Sequence, residues 1–315
     1  MSLPNGPRAT LILGTRGSKL ALQQSQWFQA RLHEVAPDVQ VTLRKIQTSG
    51  DKIVDVPLAK IGGKGLFVKE IEEALLSGEI DLAVHSMKDV PAQLPDGLEI
   101  LCVPPREDAR DALISRDGRR FMDLPQGARI GTASLRRQAQ LLNARPDLCI
   151  DMLRGNLDTR LRKLKEGQFD AIVLAAAGLH RLAWAQEITE YLDPVVSLPA
   201  IGQGALGIEG RGEDHFVRSI LDRLNDQTTG TAVTAERAFL YRLEGGCQVP
   251  IAAHATLSDG QLTLDGLVAS VDGKTIIRDE IRGKSGEAHE LGVQLAERLL
   301  ARGGDKILRE IYGRA

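Results

Sequence analysis

The chain has 315 residues, 43% of them hydrophobic and 26% charged, enough for two or three domains that each bury a core. A net charge of -2 gives no overall pull toward polyanions, and 3% aromatic content leaves few rings for stacking single-stranded nucleic acid. Cys102, Cys149 and Cys247 lack the spacing of a disulfide scaffold or zinc cluster. The first ten residues lack a secretion pattern, and no apolar run reaches about 18 residues, so a cytoplasmic protein in a reducing compartment is expected.

Ala9 to Leu13 reads as a short strand entering Gly14-Thr15-Arg16-Gly17-Ser18. A helix follows with Ala21, Phe28, Leu32 and Val35 on one face and Pro37 as its stop. Val39, Val41 and Leu43 alternate with polar residues as a half-buried strand. A helix from near Leu66 turns Phe67, Ile71, Ala74 and Leu75 inward and ends at Gly78. Asp81 to Ser86 is a strand running into Met87-Lys88-Asp89-Val90-Pro91. This alternation predicts an α/β sheet with parallel strands.

Cys102-Val103-Pro104-Pro105-Arg106 and the charges after it mark a crossing. Beyond it, Ala128 to Gly131 is a strand, Thr132-Ala133-Ser134 a loop and N-cap, and Leu135, Ala139 and Leu142 a buried helix face. The unit repeats as strand Leu148 to Leu153, loop Arg154-Gly155-Asn156, helix face Leu157, Leu161 and Leu164, and strand Ala171 to Ala176. The glycine-rich Leu198 to Ile208 carries no charge, which suggests burial and a return to the first sheet. From about Asn225 the texture is α+β: helix Ala235 to Leu243, turns at Asp259-Gly260 and Asp272-Gly273 between alternating strands, and helix Ala288 to Leu300.

Between Arg129 and Arg162 stand seven arginines and three acids. Arg136 and Arg137 occupy the first turn of a helix, where cations oppose the dipole unless an anion is also present. Arg154 and Arg160 follow in the equivalent loop and helix of the next unit, and Arg16 and Ser18 in that of the first. Loops of this kind meet in a crevice at the carboxyl ends of parallel strands, suited to a compact polycarboxylate or polyphosphate. Arg129, Arg145 and Arg162 read as solvated helix-surface groups. Lys60-Ile61-Gly62-Gly63-Lys64-Gly65 has the make-up of a mobile lid. Asp89 is either a turn-forming carboxylate or a catalytic one. His85 reads as a structural residue, and Cys102 and Cys149 as strand-associated core. Cys247 follows Gly245-Gly246 on a loop, open to a role as nucleophile, metal ligand, covalent anchor or small apolar filler.

Seven stretches in this order resemble the porphobilinogen deaminase (hydroxymethylbilane synthase) family. They are Gly14 to Ser18, Gly62 to Phe67, His85 to Pro91, Ser134 to Arg137, Leu153 to Asn156, Leu198 to Gly204 and Leu243 to Pro250, within a likeness from about Leu11 to Tyr312. The resemblance implies two periplasmic-binding-protein type II-like α/β domains with a cleft between them, plus a small C-terminal α+β domain. Domain 1 would be residues 1–103 and 198–224, domain 2 residues 104–197, and domain 3 residues 225–315. It implies a monomeric transferase of tetrapyrrole (haem) biosynthesis that takes the small molecule porphobilinogen and has no nucleic-acid or membrane partner.

In the family a cysteine at the Cys247 position holds a dipyrromethane cofactor by a thioether. Four porphobilinogen units are joined head to tail on it with loss of ammonia, and hydrolysis releases a linear tetrapyrrole. Carried over by position, Asp89 is catalytic. Lys88, Asp89, Thr132, Ser134, Arg136, Arg137, Arg154 and Gly155 surround the cofactor, and Arg16, Ser18, Arg154, Arg160 and Arg181 bind substrate carboxylates. Lys60 and Lys64 belong to the lid, and no metal is expected. Ala133 stands where the family often has serine, which removes one hydroxyl contact. A non-catalytic two-lobed binding protein is the rival reading, disfavoured by the Gly-Gly-Cys loop; a nucleic-acid module is disfavoured by the absence of a basic stripe.

Overall fold

The computed structural model describes residues 10–49, 68–243 and 249–313. Strand β1 (Thr10–Arg16) buries Leu11 and Leu13 and leads into helix α1 (Lys19–Val35). Ser18 caps α1, its hydroxyl accepting from the Ala21 amide at 3.3 Å, while Phe28 and Leu32 face the sheet. The helix closes at Ala36, because the residue before Pro37 is pushed away from the helical region. Strand β2 (Gln40–Ile46) alternates half-buried and exposed side chains, as expected of an edge. Helix α2 (Lys69–Leu76) turns Ile71, Ala74 and Leu75 inward, and Gly78 follows at φ 75°. The expected start near Leu66 and the inward Phe67 lie outside the described residues.

Strands β3 (Leu82–Ser86) and β4 (Leu98–Cys102) come next, then β5 (Asp111–Ser115) and β6 (Arg129–Gly131). Helix α3 (Leu135–Ala144), strand β7 (Cys149–Asp151), helix α4 (Leu157–Lys165), strand β8 (Ala171–Ala175), helix α5 (Ala176–Arg181) and strand β9 (Glu190–Tyr191) complete a second unit. Strand β10 (Leu206–Arg211) then returns the chain to the first. The sheets have the orders β2-β1-β3-β10-β4 and β7-β6-β8-β5-β9. Each has a parallel core and one inserted antiparallel strand, β10 or β5, paired with its neighbours on both sides. The two-lobed α/β arrangement is therefore present, but the sheets are mixed where the alternation predicted parallel strands. The difference arises where the chain crosses between the units: Asp111 closes a charged run that read as linker but opens β5, and the return stretch rejoins the first sheet as expected, but antiparallel to β3 and β4.

The return stretch is buried as expected, with Leu198, Ile201 and Ala205 at most 8% exposed. Gly204 sits at φ 88°, and a Cβ there would stand 2.3 Å from the Glu107 carbonyl oxygen. Only glycine allows this approach to the crossing segment, where the Glu107 amide bonds the Gly204 carbonyl.

After α6 (His215–Leu221), the remaining unit is α7 (Gln227–Arg242), the antiparallel β11 (Ile251–Ser258), β12 (Gln261–Ala269) and β13 (Ile276–Lys284), then α8 (Ala288–Leu299) and α9 (Asp305–Tyr312). The Asp-Gly turns fall where expected, with Asp259 at φ 51°, Gly260 at 74° and Gly273 at 71°. Helix α7 begins eight residues earlier than Ala235, capped by Asp226. Its Phe239 is fully buried with Leu264, Leu295 and Leu299, each such side chain contributing roughly 1.5–3 kcal/mol of burial. This unit leans on α3, where the Asn143 amide donates to the Gly273 carbonyl at 2.8 Å. Among the described residues no helix is long and apolar enough to cross a membrane.

Two expectations are corrected. Cys149 is exposed, because β7 is an edge strand; Cys102 is buried as read. Helix α3 buries Arg136, Arg137, Ala139, Gln140 and Leu141, while Leu135 and Leu142 are only half-buried. The face is rotated because a buried carboxylate on β5 draws the two arginines inward.

Candidate active site

Strand β3 ends in a short 3-10 turn, Met87–Asp89, that presents Lys88 and Asp89. The turn is clamped from both sides. The Met87 amide bonds the Ala205 carbonyl at 3.0 Å, and Arg237 of α7 donates to the carbonyls of Val90, Pro91 and Ala92 at 3.4, 2.8 and 3.2 Å. On the adjacent β1, Arg16 occupies the carboxyl end, and Gln24 of α1 donates to the Ser86 hydroxyl at 3.1 Å. His85 is buried against Glu209 of β10 at 2.8 Å, a structural placement as expected.

In the second sheet, β6 ends in Thr132 and Ser134. Thr132 is 4% exposed, and its hydroxyl accepts from the Ser134 amide at 3.2 Å. Ser134 in turn caps α3, accepting from the Arg137 amide at 3.4 Å. After β7 come Arg154 and Gly155. Gly155 lies at φ 112°, and its carbonyl accepts from Arg160 Nε at 2.7 Å. Arg181, at the end of α5, donates to the Gly204 carbonyl at 2.7 Å.

Electrostatics shows which groups share a site. The Lys88 pKa is lowered to about 8, chiefly by burial and then by the Arg137 charge, with Asp89 and Asp111 opposing and Arg136 adding a little. Arg160 is lowered to about 10, first by burial and then by Arg137; Asp89 opposes the shift and Arg154 adds to it. Lys88 of the first sheet thus lies within charge range of Arg137 of the second, and Asp89 within range of Arg160, which has Arg154 beside it. Arg181 is also brought down to about 10 by burial, with Glu107 offsetting. Arg16 and Ser18 stand at the carboxyl end of β1, beside β3.

Arg136 and Arg137 bring a finding the sequence did not contain. The anion their helix position called for is partly supplied by the protein itself, as Asp111 of β5, fully buried. It accepts from Arg136 Nη1 and Nη2 at 2.8 and 3.2 Å and from Arg137 Nε and Nη2 at 3.0 and 2.8 Å. Burial raises a carboxylate pKa, but the two guanidinium charges and their hydrogen bonds outweigh it and hold Asp111 well below the ordinary range. Asp111 sat in a charged run that read as linker; its signal was an acid opening the apolar run Ala112 to Ile114. Arg145, read as solvated, instead pairs with Asp147 and donates to the carbonyls of Phe121, Met122 and Leu124. Arg129 and Arg162 are exposed and paired with Asp151 and Glu166. Lys60, Lys64 and Cys247 lie outside the described residues, Cys247 on the segment joining α7 to β11.

The donor set suits a polycarboxylate. Lys88, Arg136, Arg137, Arg154 and Arg160 outnumber the carboxylates Asp89 and Asp111 among them, so a bound polyanion would relieve cation repulsion. A dipyrromethane bearing acetates and propionates fits that description.

Comparison with known proteins agrees. Residues 11–219 match the family model described as "Porphobilinogen deaminase, dipyromethane cofactor binding domain", and residues 231–301 match "Porphobilinogen deaminase, C-terminal domain". Proteins named porphobilinogen deaminase are similar along nearly their whole length. That of Syntrophotalea carbinolica is 61% identical over 95% of both chains, and that of Pelobacter propionicus 58% identical over 98% of this chain and 99% of its own. Among solved structures, the VFT2 domain of Bordetella pertussis BvgS is 16% identical, covering 70% of this chain and 87% of its own at a TM-score of 0.41. An arginine-specific periplasmic binding protein of Salmonella typhimurium gives 16% identity, 70% and 93% coverage, and a TM-score of 0.41. Scores at that level bear no weight for the fold, which rests on the strand orders above.

Proposed function

The chain belongs to the porphobilinogen deaminase family, and from that premise we propose that it is a transferase joining four porphobilinogen molecules head to tail with loss of ammonia. The anchor is a dipyrromethane held by the Cys247 thioether, and hydrolysis releases the linear tetrapyrrole. The observation carrying this reading is that Lys88 and Asp89 of the first sheet lie within charge range of Arg137 and Arg160 of the second. The dipyrromethane supplies the terminal pyrrole carbon to which each new unit is joined. The chain's own residues do the rest.

Asp89, held by the clamped turn, would stabilise positive charge developing on the pyrrole rings as ammonia departs and each bond forms. The same carboxylate can take and return a proton, work typically contributing about 10² to 10⁴ in rate. Lys88, Thr132, Ser134, Arg136, Arg137, Arg154 and Gly155 hold the cofactor. Arg16, Ser18, Arg154, Arg160 and Arg181 grip acetate and propionate groups of incoming units, and Lys60 and Lys64 ride on a lid. Bidentate guanidinium contacts fix both position and orientation of a carboxylate, so the reacting atoms meet without a separate search.

We assign residues 1–103 and 198–224 to domain 1, 104–197 to domain 2 and 225–315 to domain 3, in a cytoplasmic monomer. The deciding experiment is intact-mass spectrometry of the purified full chain. It should be heavier than its sequence by one dipyrromethane, and the excess should vanish in Cys247→Ala; bare polypeptide in a fully active preparation would overturn the covalent reading.

A further inference from the structure

Asp111 sits where both sheets and the return stretch converge, and its carboxylate is saturated. Besides the four arginine contacts, Oδ2 accepts from the Ser197 hydroxyl at 2.7 Å and Oδ1 from Gln203 Nε2 at 2.9 Å. A carboxylate offers about four lone-pair directions, so Asp111 has none left for a ligand. Its partners do. Arg136 uses its remaining Nη1 hydrogen on the Leu198 carbonyl at 2.6 Å, and Arg137 uses one Nη1 hydrogen on the Val173 carbonyl at 2.9 Å. Of the five N–H groups on a guanidinium, these bonds leave two on each arginine.

A second branch runs to the opposite sheet. Gln203 Nε2 donates one hydrogen to Asp111 and the other to the Ala109 carbonyl at 2.7 Å. Both acceptors lack hydrogens to offer, so the amide cannot be flipped, and its Oε1 is forced to face Lys88 Nζ at 3.4 Å. One buried carboxylate therefore orients two arginines of the second sheet and, through a single amide, the lysine beside Asp89 in the first.

We propose that Asp111 is a positioning residue of the reaction: it holds Arg136 and Arg137 with two donors each turned to the bound polycarboxylate, and through Gln203 it sets Lys88 against Asp89. Two arginines at one helix N-terminus repel each other and the helix dipole. With Asp111 between them they form a fixed fork of net charge +1 that needs no reorganisation when a carboxylate arrives. This inference rests on the tetrapyrrole-building reading above.

The test compares full-length Asp111→Asn and Gln203→Leu with the unaltered chain. Three quantities are read: folded fraction by circular dichroism, cofactor occupancy by intact mass, and kcat and KM for porphobilinogen across pH. In Asp111→Asn, folded chains should carry at least about tenfold less cofactor, because the arginines turn on one another once their counter-ion is gone. In Gln203→Leu, occupancy should stay full while the alkaline limb of kcat moves down by about half a pH unit, since Lys88 loses an acceptor that favours its charged form. The charged groups facing Lys88 (Asp89, Arg137, Asp111 and Arg136) are unchanged in that variant. Folded Asp111→Asn chains that load cofactor normally with an unmoved KM would overturn the proposal, even if they melt earlier. Should Asp111→Asn not fold, an unmoved alkaline limb in Gln203→Leu overturns it. An unaltered chain that is active yet bare of cofactor counts against the proposed function instead.

Discussion

The joint between the three parts of the chain can be broken with one substitution. Glu236 of α7 is fully buried and accepts from Arg106 Nη1 and Nη2 at 2.6 and 3.1 Å, from the Gly202 amide at 2.6 Å and from the Ala255 amide at 2.8 Å. These partners come from the crossing, the return stretch and the C-terminal sheet. Glu236→Gln keeps the shape, removes the charge and leaves the Arg106 guanidinium, 12% exposed, without its carboxylate. Stranding one member of a buried pair costs about 3–5 kcal/mol. With an unfolding entropy of about 2.1 cal/mol/K per residue, a loss of that size lowers Tm by roughly 5–8 °C if the chain melts as one unit.

Acid should reproduce part of the effect. Burial raises the Glu236 pKa, but the Arg106 charge, the His254 and Arg106 hydrogen bonds and the His254 charge bring it down from 4.5 to about 2. Because the folded value is depressed, this stabilisation is whole above pH 4.5 and disappears as pH falls toward 2; it amounts to about 3 kcal/mol. The assay is urea unfolding followed by circular dichroism, with Arg106→Gln and the double variant completing a cycle. The double variant should lose less than the two singles together by about 1–3 kcal/mol. A Glu236→Gln chain within 1 kcal/mol of the parent, or strict additivity in the cycle, would refute the reasoning, on the scale of about 3–5 kcal/mol expected for a broken buried pair.

Asp89→Ala should melt at the parent temperature and load cofactor, yet release ammonia about 10² to 10⁴ times more slowly; a near-normal rate in a stopped ammonia assay would remove its catalytic role. Lys88, with its pKa brought to about 8, should lose its charge on the alkaline side, so kcat should decline above that pH and Lys88→Arg should flatten the decline. An identical limb in Lys88→Arg would exclude the lysine as its source. Arg160→Leu removes a half-buried cation within charge range of Asp89 and Arg154, and should raise KM for porphobilinogen more than it lowers kcat. Steady-state kinetics with unchanged KM would place Arg160 outside the substrate grip.

The sequence by itself determined the local grammar. Ser18 and Ser134 as caps, Asp259-Gly260 and Asp272-Gly273 as turns, and Asp89 at the end of an apolar strand are all set by neighbours a few residues away. The resemblance added the family, and with it the list of arginines. The tertiary structure decided what those arginines touch. Arg136 and Arg137 looked like ligands awaiting an anion, and α3 looked like a helix burying Leu135 and Leu142. Asp111, 25 residues upstream of Arg136, turned that helix by supplying the anion. Strand β5, and the antiparallel direction in which β10 rejoins the first sheet, were hidden for the same reason: their pairing partners are far along the chain. Caps and turns are satisfied by their own sequence, whereas a buried charge or an inserted strand is satisfied only by what the fold brings to it, and that is where Asp111, Gln203, Arg237 and Glu236 became visible.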